Sequence, residues 1–156
     1  MKQYIRTKLT FEGDPARIKE ITEELGSEED PIRFNRIVLL SENDDPVEKW
    51  GTEDDAQETD RIVYRDGTKA EYSFDTLKTI PMPIYRKLSE TYKNVKMRID
   101  YASEDYGNDC GRYESPEGSG ELFLKEIDDP FVFACDVWEI DPEEQRYEEM
   151  INYYEE

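Results

Sequence analysis

The hydrophobic pattern of this sequence switches several times between the period of a β-strand and the period of an α-helix. Apolar and polar residues alternate through residues 3–11, as in a half-buried strand. Ile18, Ile21 and Leu25 then recur at helical spacing. They follow Asp14, whose side chain is a favoured N-cap and is followed by proline. The chain therefore begins with a strand and then a helix.

The same alternation of patterns continues through the next seventy residues. Two alternating runs, residues 61–64 and 69–75, flank Asp66-Gly67, a dipeptide typical of β-hairpins. A second helical stripe follows at residues 84–92, and an alternating run follows at residues 95–101. The resulting order, β-α-β-β-α-β, predicts an α+β fold with an antiparallel sheet and helices on one face.

Other segments have weaker patterns. We expect residues 34–40 to form a docked extended piece and residues 41–60 to form a long acidic loop or a loosely helical excursion. Residues 121–127 alternate like a strand, and residues 131–138 are apolar enough for a central strand. A final helix begins at Asp141-Pro142. Its apolar stripe consists of Tyr147, Met150, Ile151 and Tyr154.

The length and composition favour a single folded domain with an acidic surface. Only 36% of the 156 residues are hydrophobic, but six Phe, eleven Tyr and two Trp can supply a core. We expect one domain over residues 1–156, with a core at 1–127 and an acidic C-terminal extension at 128–156. The first residues alternate rather than forming an apolar block, so we expect no signal peptide and a cytoplasmic protein.

The formal charge of −20 is unevenly distributed. Residues 100–156 carry 19 acids and only three bases, whereas residues 1–99 are nearly balanced. A polyanion repels the phosphates of nucleic acid, so direct nucleic-acid binding is not expected. The same charge on an ordered surface fits a basic protein partner instead.

Several kinds of chemistry have no support in the sequence. The absence of histidine excludes histidine bases and imidazole metal ligands. Motifs for nucleophiles, phosphate loops and dinucleotides are missing, so we expect no enzyme and no cofactor. The oxygen-rich segments 53–55 and 105–109 lack the spacing of a calcium loop, so no metal site is expected. Cys110 and Cys135 are expected to be free thiols.

Five short motifs in this order resemble the YubB-like proteins of plasmids and phages. The resemblance spans about residues 3–125, and it implies a ferredoxin-like fold and an origin in a mobile element. It supplies no catalytic residues. The matching motifs are Leu9-x-Phe11-x-Gly13, Trp50-Gly51-Thr52, Phe74-Asp75-Thr76, Pro81-x-Pro83, and Gly107 with Gly111.

Together these observations predict a small phage or mobile-element protein that binds a basic, nucleic-acid-binding host protein by imitating nucleic acid, as an anti-restriction or anti-CRISPR inhibitor. The alternative is a non-enzymatic interaction module whose acidity serves solubility. The oligomeric state is left open. The predicted binding residues are Asp128, Asp129, Asp136, Glu139, Asp141, Glu143, Glu144, Glu148 and Glu149, with a secondary patch at Asp54 and Asp55.

Overall fold

The computed structural model describes residues 3–155, which form one antiparallel sheet with helices packed on both faces. The strands are β1 (Tyr4–Glu12), β2 (Gln57–Val63), β3 (Lys69–Leu77), β4 (Lys96–Ser103), β5 (Cys110–Ser115) and β6 (Phe123–Lys125). The helices are α1 (Pro15–Leu25), α2 (Phe34–Ile37), α3 (Pro46–Trp50), α4 (Met82–Thr91), α5 (Pro130–Trp138) and α6 (Pro142–Glu155).

The strands follow the order β2-β3-β1-β4-β5-β6, and every neighbouring pair is antiparallel. The first four strands, with α1 and α4, have the split β-α-β arrangement that the sequence predicts, so the α+β, ferredoxin-like fold class is confirmed. β1 lies between β3 and β4 in the middle of the sheet, and its inward positions are all buried. Leu9, for example, lies opposite Tyr72 of β3 and Ile99 of β4.

The helices α1 and α4 form where their periodicity predicts. α1 starts after Asp14, whose carboxylate accepts a hydrogen bond from the Ala16 amide, and it buries Ile18 and Ile21 against the sheet. α4 buries Ile84 and Leu88 in the same core. Full burial of one such side chain contributes about 1.5–3 kcal/mol, so these stripes hold both helices on the sheet.

Residues 34–60 differ from the expected extended piece and acidic loop, because two short helices form there. Phe34 begins α2, where its ring packs in the core instead of continuing an extended chain. α3 ends at Trp50, which is buried and donates from its indole Nε1 to the Val38 carbonyl oxygen at 2.8 Å. Trp50 therefore pins the acidic segment to the core.

The prediction of a central strand at residues 131–138 is wrong, because this segment is the helix α5. The Asp129 carboxylate accepts hydrogen bonds from the amides of Phe131 and Val132, and Pro130 occupies the first turn. Asp-Pro pairs also open α1, α3 and α6. Residues 128–155 thus contain two helices, with the short strand β6 preceding them.

α5 lies on the opposite face of the sheet from α1–α4, so the helices are not confined to one face. Ala134 and Val137 of α5 form a second small core with Ala102 of β4. The Trp138 indole Nε1 donates to the Ala102 carbonyl oxygen at 2.9 Å, and the Arg6 guanidinium lies 4.6 Å from the centre of the Trp138 ring. α5 covers only part of this face, and the rest is open.

Candidate protein-binding surface

The last helix is fixed in place at its N-terminal end. Glu139 ends α5 in a left-handed conformation, with φ of 57°, and this turns the chain toward α6. The Asp141 carboxylate then accepts a hydrogen bond from the Glu143 amide at 2.9 Å. Arg146 joins α6 to α5, because its guanidinium lies 3.8 Å from the Asp129 carboxylate and over the Phe131 ring. α6 is therefore held as a defined helix against α5.

Four carboxylates of α6 point into solvent and lack cationic partners within the described part of the chain. Glu143, Glu144, Glu148 and Glu149 are all exposed. Within residues 3–155, none of them lies within ion-pair distance of a lysine or arginine. Glu144 and Glu148 are neighbours at i,i+4, and such a like-charge pair is unfavourable by about 0.2–0.5 kcal/mol. α6 keeps this repulsion uncompensated.

The apolar stripe predicted for α6 is present, and three of its four residues, Tyr147, Met150 and Tyr154, are exposed, whereas Ile151 is half-buried. Tyr147, Met150, Ile151 and Tyr154 fall within about 100° of each other around the helix. Tyr147 is 61% exposed and Tyr154 is 78% exposed. Glu144 and Glu148 border this stripe. We call the four exposed glutamates and these four apolar residues the α6 surface. Contiguous exposed apolar side chains rimmed by polar ones mark interaction sites.

The remaining predicted binding acids differ in whether they cap helices, form ion pairs or are simply exposed. Asp129 and Asp141 cap α5 and α6. Glu139 pairs with Lys8 at 3.2 Å, and Asp136 is exposed on α5, where its backbone carbonyl oxygen accepts from the Lys8 ammonium at 3.2 Å. Asp128 is exposed beside them. These five therefore lie on or next to α5, close to the α6 surface.

The secondary acidic patch has a different character from the prediction. Asp54 is exposed, whereas Asp55 is half-buried and caps α2 by accepting from the Phe34 amide at 2.6 Å. The Ala56 amide donates to the same carboxylate oxygen at 2.7 Å. α2 belongs to the helical layer on the other face of the sheet from α5. Asp54 and Asp55 therefore do not join the α6 surface.

Sequence reasoning missed a cleft on the open face of the sheet, beside α5, which we call the sheet cleft. Its floor includes the mostly buried Asp100, which accepts two hydrogen bonds from Arg112 at 2.7 and 3.1 Å. Arg98 approaches the same carboxylate at 3.3 Å. The hydrogen bond to Asp100 raises the pKa of Arg112 above its ordinary value. The lining residues are Lys8, Thr10, Glu12, Lys69, Glu71, Lys96, Arg98, Asp100, Arg112, Phe133, Asp136 and Val137.

The two cysteines show no sign of nucleophilic activation. Cys110 is half-buried and Cys135 is buried, and both are free thiols. Burial raises the pKa of each thiol above its ordinary value, which disfavours the reactive thiolate. Among residues 3–155, no three Cys, Asp or Glu side chains are grouped as metal ligands. Within the same range, no helix is long and apolar enough to span a bilayer.

Comparison with known protein families identifies one family that matches the chain. Residues 48–149 match the family described as the ferredoxin-like domain in Api92-like protein. The chain belongs to this family. The match to the Api92-like domain begins within α3 and ends within α6, so it includes α5 and more than half of the chain. Searches of curated proteins and of solved structures find no match.

Proposed function

We propose that this Api92-like protein binds a basic, nucleic-acid-binding host protein in the cytoplasm and blocks its nucleic-acid site. The observation that carries the proposal is α6, which presents four exposed glutamates without cationic partners within residues 3–155, two of them, Glu144 and Glu148, beside a mostly exposed apolar stripe. Carboxylates on an ordered helix can occupy a cationic groove that otherwise holds phosphates, with the same release of counterions. A defence protein such as a restriction or CRISPR effector is a target of this kind.

The apolar stripe strengthens the case for a protein interface. Acidity alone would keep the protein dispersed, and it would not require Tyr147, Met150 and Tyr154 to remain uncovered. Tyrosine is favoured at protein interfaces because it combines a large apolar ring with a hydroxyl. Asp128 and Asp136, which are exposed on or next to α5, add to the negative charge of the C-terminal helices.

The resemblance to YubB-like proteins of plasmids and phages supports a mobile-element origin for the chain. An element that enters a cell meets nucleic-acid-binding defence proteins, and an inhibitor of such a protein would protect it. No catalytic step is part of the proposal, since occupation of the groove by carboxylates is enough to exclude nucleic acid. An anti-restriction or anti-CRISPR protein would act in this way.

A competition experiment tests the proposal. Purified restriction endonucleases and CRISPR effector complexes would be bound to fluorescent DNA, and the protein would be added at about 50 and about 200 mM NaCl. We expect displacement of the DNA at low salt, weakened at high salt. The variant E143Q/E144Q/E148Q/E149Q should lose it.

The matched control is E23Q/E28Q/E29Q/E90Q, which changes the net charge equally. It alters four exposed glutamates away from the α6 surface. It should displace DNA like the wild type. Equal activity of both quadruple variants, or no displacement from any effector, would contradict the proposal.

A second candidate is an interaction module whose acidity serves only solubility. The uncovered apolar stripe of α6 is the observation that favours it, since such a stripe can bind a partner without using charge. In that case Tyr147→Ser with Tyr154→Ser would abolish partner binding, whereas salt and the glutamate variant would leave it unchanged. The competition experiment therefore separates the two functions.

A further inference from the structure

We infer that the sheet cleft is a binding site for a small phosphate-bearing anion, separate from the α6 surface. The cleft has a volume of about 230 Å³ and lies between the open face of the sheet and one side of α5. Five of the twenty lysines and arginines of the chain line it, alongside four acids. The lining thus carries a formal charge of +1, five bases against four acids, in a protein with a net charge of −20.

Strand register brings these bases together. The outward positions of β1, β3, β4 and β5 share one face of the sheet, and the pairing sets Thr10 of β1 opposite Arg98 of β4. Lys69 and Lys96 lie on either side of β1, both opposite Glu12. Sequence spacing alone cannot reveal this set, because its members lie on different strands between residues 8 and 112.

The charges in the cleft are not all used by the fold. Asp100 is neutralised by Arg112 and Arg98, and Lys8 is engaged by Glu139. Within residues 3–155, Lys69 and Lys96 have no carboxylate oxygen within 4 Å, and the Lys69 ammonium lies 4.8 Å from the centre of the Tyr64 ring. In the same range, the carboxylates of the lining acids Glu12, Glu71 and Asp136 likewise have no lysine or arginine nitrogen within 4 Å. Each ammonium carries three donors, and Arg98 keeps further donors free for a second acceptor. The cleft therefore contains ammonium and guanidinium donors that no carboxylate of the described fold accepts, beside acids that an anion would approach.

A phosphate group suits this set of donors. It presents several acceptor oxygens, which lysine and arginine bind with charge-assisted hydrogen bonds, and the Thr10 hydroxyl can donate to the same oxygens. Phe133 and Val137 form an apolar wall against which an organic group could pack. The distant acids of the chain oppose the anion weakly, because salt screens charges beyond about 8 Å at physiological ionic strength.

Isothermal titration with pyrophosphate at fixed ionic strength tests the site. We expect saturable binding to the wild type and a loss of affinity of about tenfold or more in K96Q/R98Q, which removes two charge-assisted donors. The control K19Q/R86Q also removes one lysine and one arginine, from exposed positions on α1 and α4. It should bind within about twofold of the wild type.

The charge-preserving variant K96R/R98K should retain binding. Because Lys96 and Arg98 are exposed, their variants are expected to fold, and thermal unfolding would verify this. Absence of saturable binding to the folded wild type, or equal weakening in K96Q/R98Q and K19Q/R86Q, would overturn the inference. The α6 glutamates are unchanged in all these variants, so the result is independent of the proposed function.

Discussion

The open face of the sheet and the α6 surface are both densely charged, but they differ in how far their acids are paired with bases. On the sheet, acids and bases alternate across neighbouring strands, and Asp100 is shared by Arg98 and Arg112. On α6, Glu143, Glu144, Glu148 and Glu149 have no cationic partner among residues 3–155. Cross-strand pairs stabilise a fold, whereas unpaired like charges on a helix do not. The acids of α6 therefore require an explanation outside the stability of the fold.

The tyrosines also differ between the two regions, because those of the core are buried and those of α6 are exposed. Alkaline titration tests this difference, and it has the largest expected effect. Burial raises the pKa of Tyr72 to about 12 and of Tyr101 to about 12, and it raises the pKa of Tyr85 further. An unfolded tyrosine ionises near pH 10, so the folded state binds these protons more tightly. Their stabilising contribution is complete below about pH 10 and is lost as the pH rises toward 12.

We therefore expect cooperative unfolding of the whole domain in this range. It would be followed by circular dichroism, with phenolate absorbance rising at the same pH. Loss of helical signal while the core phenols remain protonated would contradict this assignment of the core tyrosines. Tyr147→Phe and Tyr154→Phe on α6 should leave the transition in place, since both side chains are exposed.

Removal of the shared carboxylate of the sheet should have the next largest effect. Asp100→Ala leaves Arg112 without its paired hydrogen bonds, so we expect a loss of about 2–3 kcal/mol in the free energy of unfolding. Urea denaturation measures it. Glu144→Ala, the comparison on α6, should change stability by less than about 0.5 kcal/mol. Similar losses in both variants would mean that the acids of the two regions contribute equally to the stability of the fold.

The smallest expected effect comes from relief of repulsion on α6. Glu148→Gln removes the like-charge contact with Glu144, so we expect a gain of about 0.2–0.5 kcal/mol at low salt. Thermal unfolding measures the gain. Asp129→Ala removes the cap of α5 and should instead lose about 1 kcal/mol. A loss of stability in Glu148→Gln would mean that this carboxylate supports the fold.

The sequence predicts the central fold because local patterns and tertiary packing agree there. β1, α1 and the hairpin at Asp66-Gly67 each have a clear period or turn signal, and Gly67 adopts the positive φ of 75° that such a turn requires. α5 was mispredicted because residues 131–138 are apolar on both sides of the helix. The sequence signal for this helix is Asp129-Pro130, the same N-cap and first-turn pair that opens α1 at Asp14-Pro15.

The site was predictable only in part. A run of glutamates and tyrosines after Asp141 indicates an acidic helix with an apolar stripe, but only the packed structure shows that most of that stripe is exposed. Asp55 resembles its acidic neighbours in sequence, yet its role depends on Phe34 lying next to it in the fold. The pairing of Asp100 with Arg112 depends on the register of β4 and β5 across a turn, which no local pattern fixes.

The salt dependence of binding tests the central claim most directly. The affinity of the protein for an effector whose DNA it displaces would be measured over a range of NaCl concentrations. If the α6 glutamates replace phosphates, the slope of log affinity against log salt should be steep. The magnitude of this slope should decrease by roughly three to four in E143Q/E144Q/E148Q/E149Q. An unchanged slope in that variant would contradict the account.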